Sequence, residues 1–123
     1  MIEQEKYNGT GIVRLRRALH CSYVGLTTAY RNEEAFRQEL LVCLILIPVA
    51  CWLGHTNTER ALLVGSLLIL LIIEILNSAV EAVVDRIGPE RHELSGLAKD
   101  LGSAAVFLAI VLIVVVWSLI LFT

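Results

Sequence analysis

The sequence predicts an all-α membrane protein with three transmembrane helices preceded by an N-terminal amphipathic helix at the interface. Three observations carry this prediction. Of the 123 residues, 57% are hydrophobic, too oily for a soluble domain. Three apolar stretches are candidates to cross a bilayer core of about 30 Å, which takes ~20 helical residues; the first, uncharged only from Leu40 to Leu53, needs Phe36 and the stem of Arg37 to lengthen it near the interface. Ahead of them, Ile12, Leu15, Leu19, Tyr23, Leu26 and Tyr30 recur on one helical face.

Residues 1–10 are polar and read as a flexible N-terminus, with no apolar signal segment behind the acidic start Met1-Ile2-Glu3-Gln4-Glu5. Residues 11–31 form the surface helix, whose Arg14, Arg16 and Arg17 suit anionic headgroups while its apolar side is immersed. Asn32 is a candidate cap for the next helix, which leaves Glu33 and Glu34 in its first turn, where the helix dipole favours them. The first span covers 35–53, with Pro48 inside it and Gly54 at its end. Thr56, Asn57 and Thr58 offer caps for the second span, 60–84, which stops at Ile87-Gly88-Pro89. Glu90 to Gly96 forms the longest connection, and the third span runs from 100 to 122, with Lys99 and Asp100 at its mouth.

Basic residues set the orientation. Arg60 alone lies in the first connection, while the other nine of ten lysines and arginines precede the first span or surround the second connection. The positive-inside rule puts the N-terminus and the second loop in the cytoplasm and the C-terminus outside. Cys21, Cys43 and Cys51 show neither disulfide nor zinc spacing, and nothing points to nucleic acid.

The second span carries the chemistry. Glu74 follows thirteen uncharged residues, Ala61 to Ile73, and Asn77, Ser78, Glu81 and Asp85 share an arc of about 100° with it. Ionisable groups at membrane depth cost about 2.5 to 3.5 kcal/mol each to insert, so a buried stripe of them is a functional site by default. Glu33, Glu81, Asp85, Lys99 and Asp100 gather near one membrane face in this topology. Carboxylates of that kind are hard oxygen ligands for Mg²⁺, and bases beside them suit phosphate. Glu74, some 10 Å deeper than Glu81 by helical rise, suits a proton acceptor for a lipid hydroxyl. GxxxxGKS/T, GxGxxG, a protein-kinase catalytic loop and HExxH are all absent. These residues alone leave phosphoryl transfer, proton coupling and a structural helix network open.

Asn32-Glu33-Glu34-Ala35-Phe36-Arg37-Gln38-Glu39, the run from Glu74 to Arg86, and His92-Glu93-Leu94-Ser95-Gly96 followed by Ala98-Lys99-Asp100 and Gly102-Ser103-Ala104-Ala105 resemble the signatures of the prokaryotic integral-membrane diacylglycerol kinases. The resemblance extends from about Gly11 to Trp117. It implies a homotrimer with active sites shared between subunits, transferring the γ-phosphate of ATP to the primary hydroxyl of diacylglycerol with Mg²⁺, for lipid recycling in the bacterial inner membrane. It implies Glu74 as general base with Asn77 beside it, and Glu33 and Glu81 as metal-holding residues. Arg14, Cys21, Glu33, Glu81, Glu90, His92, Lys99 and Asp100 match nucleotide-binding positions. Arg14, Arg37, Glu39, Glu74, Ser103 and Trp117 match the lipid-substrate side. Cys21 stands where well-known members carry a tyrosine and Leu97 where they carry an arginine, which bears on nucleotide contacts. The alternatives are an undecaprenol kinase of the same fold, a small proton-coupled transporter using Glu74, and a structural scaffold.

Overall fold

The computed structural model describes residues 9–90 and 92–123. Most of the N-terminal segment expected over 1–10, and the loop base Arg91, lie outside the described residues. Four helices follow one another, and no strand occurs among the described residues: α1 Ile12–Asn32, α2 Glu34–Leu53, α3 Asn57–Ile87 and α4 Glu93–Leu121. The last three are long and apolar enough to cross a membrane.

The chain divides into two compact units, Met1–Glu34 and Ala35–Thr123. The first is α1, with exposed Ile12, Leu15, Leu19, Tyr23 and Leu26 at the helical spacing the sequence suggests. It ends differently from the expectation. Asn32 is the last residue of α1 and not a cap outside α2, and Glu33 is the single extended residue, its N–H bonded to Ala29 O at 2.9 Å. Only Glu34 enters the first turn of α2.

The second unit is a three-helix hairpin array. Gly54 closes α2 with a bond to Ala50 O, and a side chain there would strike Arg60 Cγ at 2.5 Å, so the turn requires glycine. Of the three cap candidates Thr56 is the one used: its hydroxyl accepts from Glu59 N while the Glu59 carboxylate accepts from Thr56 N, a capping box. Arg60 crosses the turn to Cys51 O at 2.9 Å. Pro48 removes one hydrogen bond from α2, that to Leu44 O.

The fully or nearly buried positions of α3 are Leu63, Ser66, Leu67, Leu70, Glu74 and Val84. Steps of four and three from Leu63 through Leu67 and Leu70 to Glu74, then Asn77, Glu81 and Val84, trace one seam at the 3.5-residue spacing of packed helices. Cys43 of α2 meets this seam with its thiol 3.7 Å from Leu67 O, while α4 packs closely along α3. Leu68, Ile69, Ile72, Leu76, Val80 and Val83 are exposed on the opposite side of α3, as lipid-facing or subunit-facing residues require.

α4 starts well before the expected span. His92 is its cap, Nδ1 accepting from Leu94 N at 3.1 Å, so Glu93 to Gly96 are helical and the connection after α3 is short. Lys99 accordingly sits nearly two turns inside α4 and not at its mouth.

Candidate functional site

Glu74 is 5% exposed, a carboxylate placed on the seam by the same periodicity that buries Leu67 and Leu70. Glu39 of α2 is a neighbouring carboxyl group. Its Oε2 is buried and without a hydrogen-bond partner. A cavity of about 370 Å³, lined chiefly by apolar residues such as Val42, Cys43, Leu46, Leu67, Leu70, Ile110 and Ile113 but also by Glu39 and Gln38, opens among the three helices. Glu39 therefore sits at the wall of an apolar space.

One turn beyond Glu74, Asn77 Nδ2 donates to Glu81 Oε1 at 3.4 Å, and Asn77 Oδ1 is buried without a partner. Asp85, a further turn on, accepts from Lys99 Nζ at 2.9 Å. The stripe thus passes from a dry carboxyl group to a hydrated ion pair as α3 leaves the apolar zone. Beyond it, at the end of the bundle, lies a second cavity of about 470 Å³ whose lining includes the charged or polar side chains of Asp85, Glu90, His92 and Lys99.

Among the described residues no three His, Cys, Asp or Glu side chains converge as a closed metal site. The donors on offer are hard carboxylate oxygens, and Glu81 has one oxygen engaged by Asn77. This donor set fits Mg²⁺, which dehydrates reluctantly and is ordinarily held by one or two carboxylates with phosphate oxygens and water.

The sequence-derived residues fall into groups. Glu39, Glu74, Asn77 and Glu81 form one continuous run. Glu90, His92 and Lys99 line the second cavity. His92 spends Nδ1 on the helix cap, which leaves Nε2 as the atom for a ligand. Asp100 and Ser103 are exposed on α4 and Arg37 is half-buried on α2. Trp117 donates through Nε1 to Ser66 Oγ at 3.3 Å, fourteen positions and about 21 Å of helical rise from Ser103, so the two mark different levels of α4 and not one contact. In the first unit, Arg14 and Cys21 are exposed and Glu33 is half-buried at the helix break. Sequence reasoning missed two partners, the role of Glu39 beside Glu74 and that of Ser66 beside Trp117. Glu39 was visible as an acid at the head of an apolar span; Ser66 gave no signal in its apolar surroundings.

The family model described as prokaryotic diacylglycerol kinase matches residues 20–121. A protein of Escherichia coli named diacylglycerol kinase is 51% identical over 116 residues, 94% of this chain and 95% of its own length. Proteins of the same name from Haemophilus influenzae, 51% identical with 98% of its length covered, and Pseudomonas aeruginosa, 50% identical with 91% of each chain covered, are similarly close.

Proposed function

Since the chain belongs to the prokaryotic diacylglycerol kinase family, we propose that the seam of α3 is its active site, with Glu74 as the base and the second cavity at the end of α3 as the nucleotide side. The protein is a bacterial membrane enzyme, a kinase whose lipid substrate is diacylglycerol. The observation that carries the site reading is the burial of Glu74 near Glu39, which lines an apolar cavity, on the same helix face as Asp85, whose pair with Lys99 lines the second cavity. A glyceride entering from the bilayer and a nucleotide entering from water would meet along that face.

In the proposed reaction the primary hydroxyl of diacylglycerol gives its proton to a Glu74 carboxylate oxygen as the hydroxyl oxygen attacks the γ-phosphorus of ATP. The bond from that phosphorus to the β,γ-bridging oxygen breaks, ADP leaves, and phosphatidic acid remains. Burial serves this step, because a carboxylate stripped of water is a better proton acceptor and water is kept from competing for the phosphoryl group. Lys99 neutralises charge on the phosphates, and Arg14, Cys21, Glu90, His92 and Asp100 line the nucleotide; Arg37, Glu39, Ser103 and Trp117 follow the lipid. Glu33 and Glu81 would hold Mg²⁺, which would supply charge neutralisation for the phosphates. With no phosphate-cradling glycine loop in the sequence, rate enhancement rests on positioning and electrostatics.

The proposal extends to a homotrimer in the inner membrane, N-terminus cytoplasmic and C-terminus periplasmic, that returns diacylglycerol to phospholipid synthesis. The chain as a whole, 1–123, acts as one kinase domain. Purified protein in mixed micelles with ATP and Mg²⁺ is expected to phosphorylate diacylglycerol. Exclusive phosphorylation of undecaprenol would overturn the substrate assignment, and Glu74→Gln retaining turnover would overturn the base.

A further inference from the structure

The polar seam of α3 meets α4 at a residue with no side chain. A Cβ placed on Gly102 would overlap Asn77 Oδ1 and lie 3.3 Å from Asn77 Cγ. Helical Gly25, Gly65 and Gly96 have open space at the corresponding place. The Asn77 amide that fills the Gly102 notch is not there to satisfy its carbonyl, because Oδ1 is buried and has no hydrogen-bond partner. Only a weak contact with the bare Cα of Gly102 is on offer. Its other end is committed: Nδ2 donates to Glu81 Oε1. An orphaned carbonyl is costly, so an amide free to turn would turn. What keeps it in place is the close approach of α4 to α3, with no side chain at Gly102 to displace it.

We propose that Gly102 is a positioning residue for phosphoryl transfer: its missing side chain fixes the Asn77 amide, and the amide in turn fixes the Glu81 carboxylate. This rests on the reading of Glu81 as a metal-holding residue. Carboxylates that hold a metal depend on hydrogen-bonded partners for their orientation, and loss of such a partner typically costs about 10- to 100-fold in metal affinity or activity. The atom a new methyl would displace is the tip of a side chain, not backbone. Asn77 can therefore swing aside without the helices separating, so the cost falls on function more than on folding.

The test uses the full chain in mixed micelles, with kcat, the KM for ATP and the Mg²⁺ concentration for half-maximal rate measured for Gly102→Ala, Asn77→Ala, the double variant and Gly65→Ala as control. Gly102→Ala is expected to lose about 10-fold or more in kcat/KM with a raised Mg²⁺ requirement, with its thermal midpoint near that of the parent. Gly65→Ala is expected to match the parent. The double variant is expected to equal Asn77→Ala within about twofold, because the methyl has nothing left to displace. A Gly102→Ala protein that folds only when Asn77→Ala is added would support the contact equally. Multiplicative losses in the double variant, or full activity in Gly102→Ala, would overturn the proposal. Complete coupling with an unchanged Mg²⁺ requirement would uphold the Gly102–Asn77 contact and remove Glu81 as a metal ligand.

Discussion

Glu74 is a carboxyl group 5% exposed on the helix face that Leu63, Leu67 and Leu70 carry in the preceding turns, and a group that expensive to bury must repay its cost in function or in a bonded network. Glutamine at 74 keeps shape and hydrogen-bonding capacity but cannot take a proton. Glu74→Gln is therefore expected to lower turnover by at least about 10²-fold, the usual contribution of a general base, with the oligomer intact by size-exclusion chromatography in detergent. Lys99 belongs to a different regime. Its bond to Asp85 is exposed, and exposed ion pairs contribute little to stability. Lys99→Met should leave the thermal midpoint nearly unchanged while raising the KM for ATP about tenfold, the worth of one charge-assisted contact to phosphate; an unchanged KM would take Lys99 out of the nucleotide side.

Helix ends are where local chemistry decides the architecture. α3 begins where Thr56 and Glu59 exchange hydrogen bonds, and Thr56→Ala should cost about 1 kcal/mol of stability without affecting kcat, because the turn lies at the far end of α3 from Glu81. His92 combines a cap with a place in the second cavity, and substitution can separate the two. His92→Asn preserves capping and His92→Ala does not. If the imidazole also meets the nucleotide, both raise the KM for ATP and only alanine lowers stability; parent-like KM in His92→Asn would confine the residue to capping. The expected boundary at 100 missed this cap because Glu90 to Gly96 reads as polar loop, and composition cannot reveal which imidazole nitrogen finds a backbone N–H.

At the scale of the whole molecule, much of the apolar surface of the three spans remains exposed in one chain, Leu41, Leu44, Ile45, Phe107, Leu108 and Val114 among it. Lipid and neighbouring subunits are the partners that such surface accepts. If active sites are shared between subunits, mixing Glu33→Gln and Glu74→Gln protomers should restore turnover that neither variant has alone, because some sites then combine two unaltered residues. No recovery at any mixing ratio would mean that each protomer holds a complete site. Removal of Mg²⁺ by chelation should abolish turnover and its return restore it.

The three spans, their order and the stripe Glu74-Asn77-Glu81-Asp85 were legible in the residues themselves, since hydrophobic length and helical periodicity are local properties of a chain in a bilayer. Glu33, Lys99 and Asp100 were tied to it by the expected topology, while the remaining site residues were named by resemblance, because nothing local ties a residue such as Glu39 to it. Which way the stripe faces, and that it continues the leucine seam of α3, depended on how the helices pack: a helix in lipid shows a polar face without showing what covers it. The proximity of Glu39 to Glu74 and the notch at Gly102 join residues dozens of positions apart. Such contacts arise from helix crossing and close approach, which no pattern along one helix encodes.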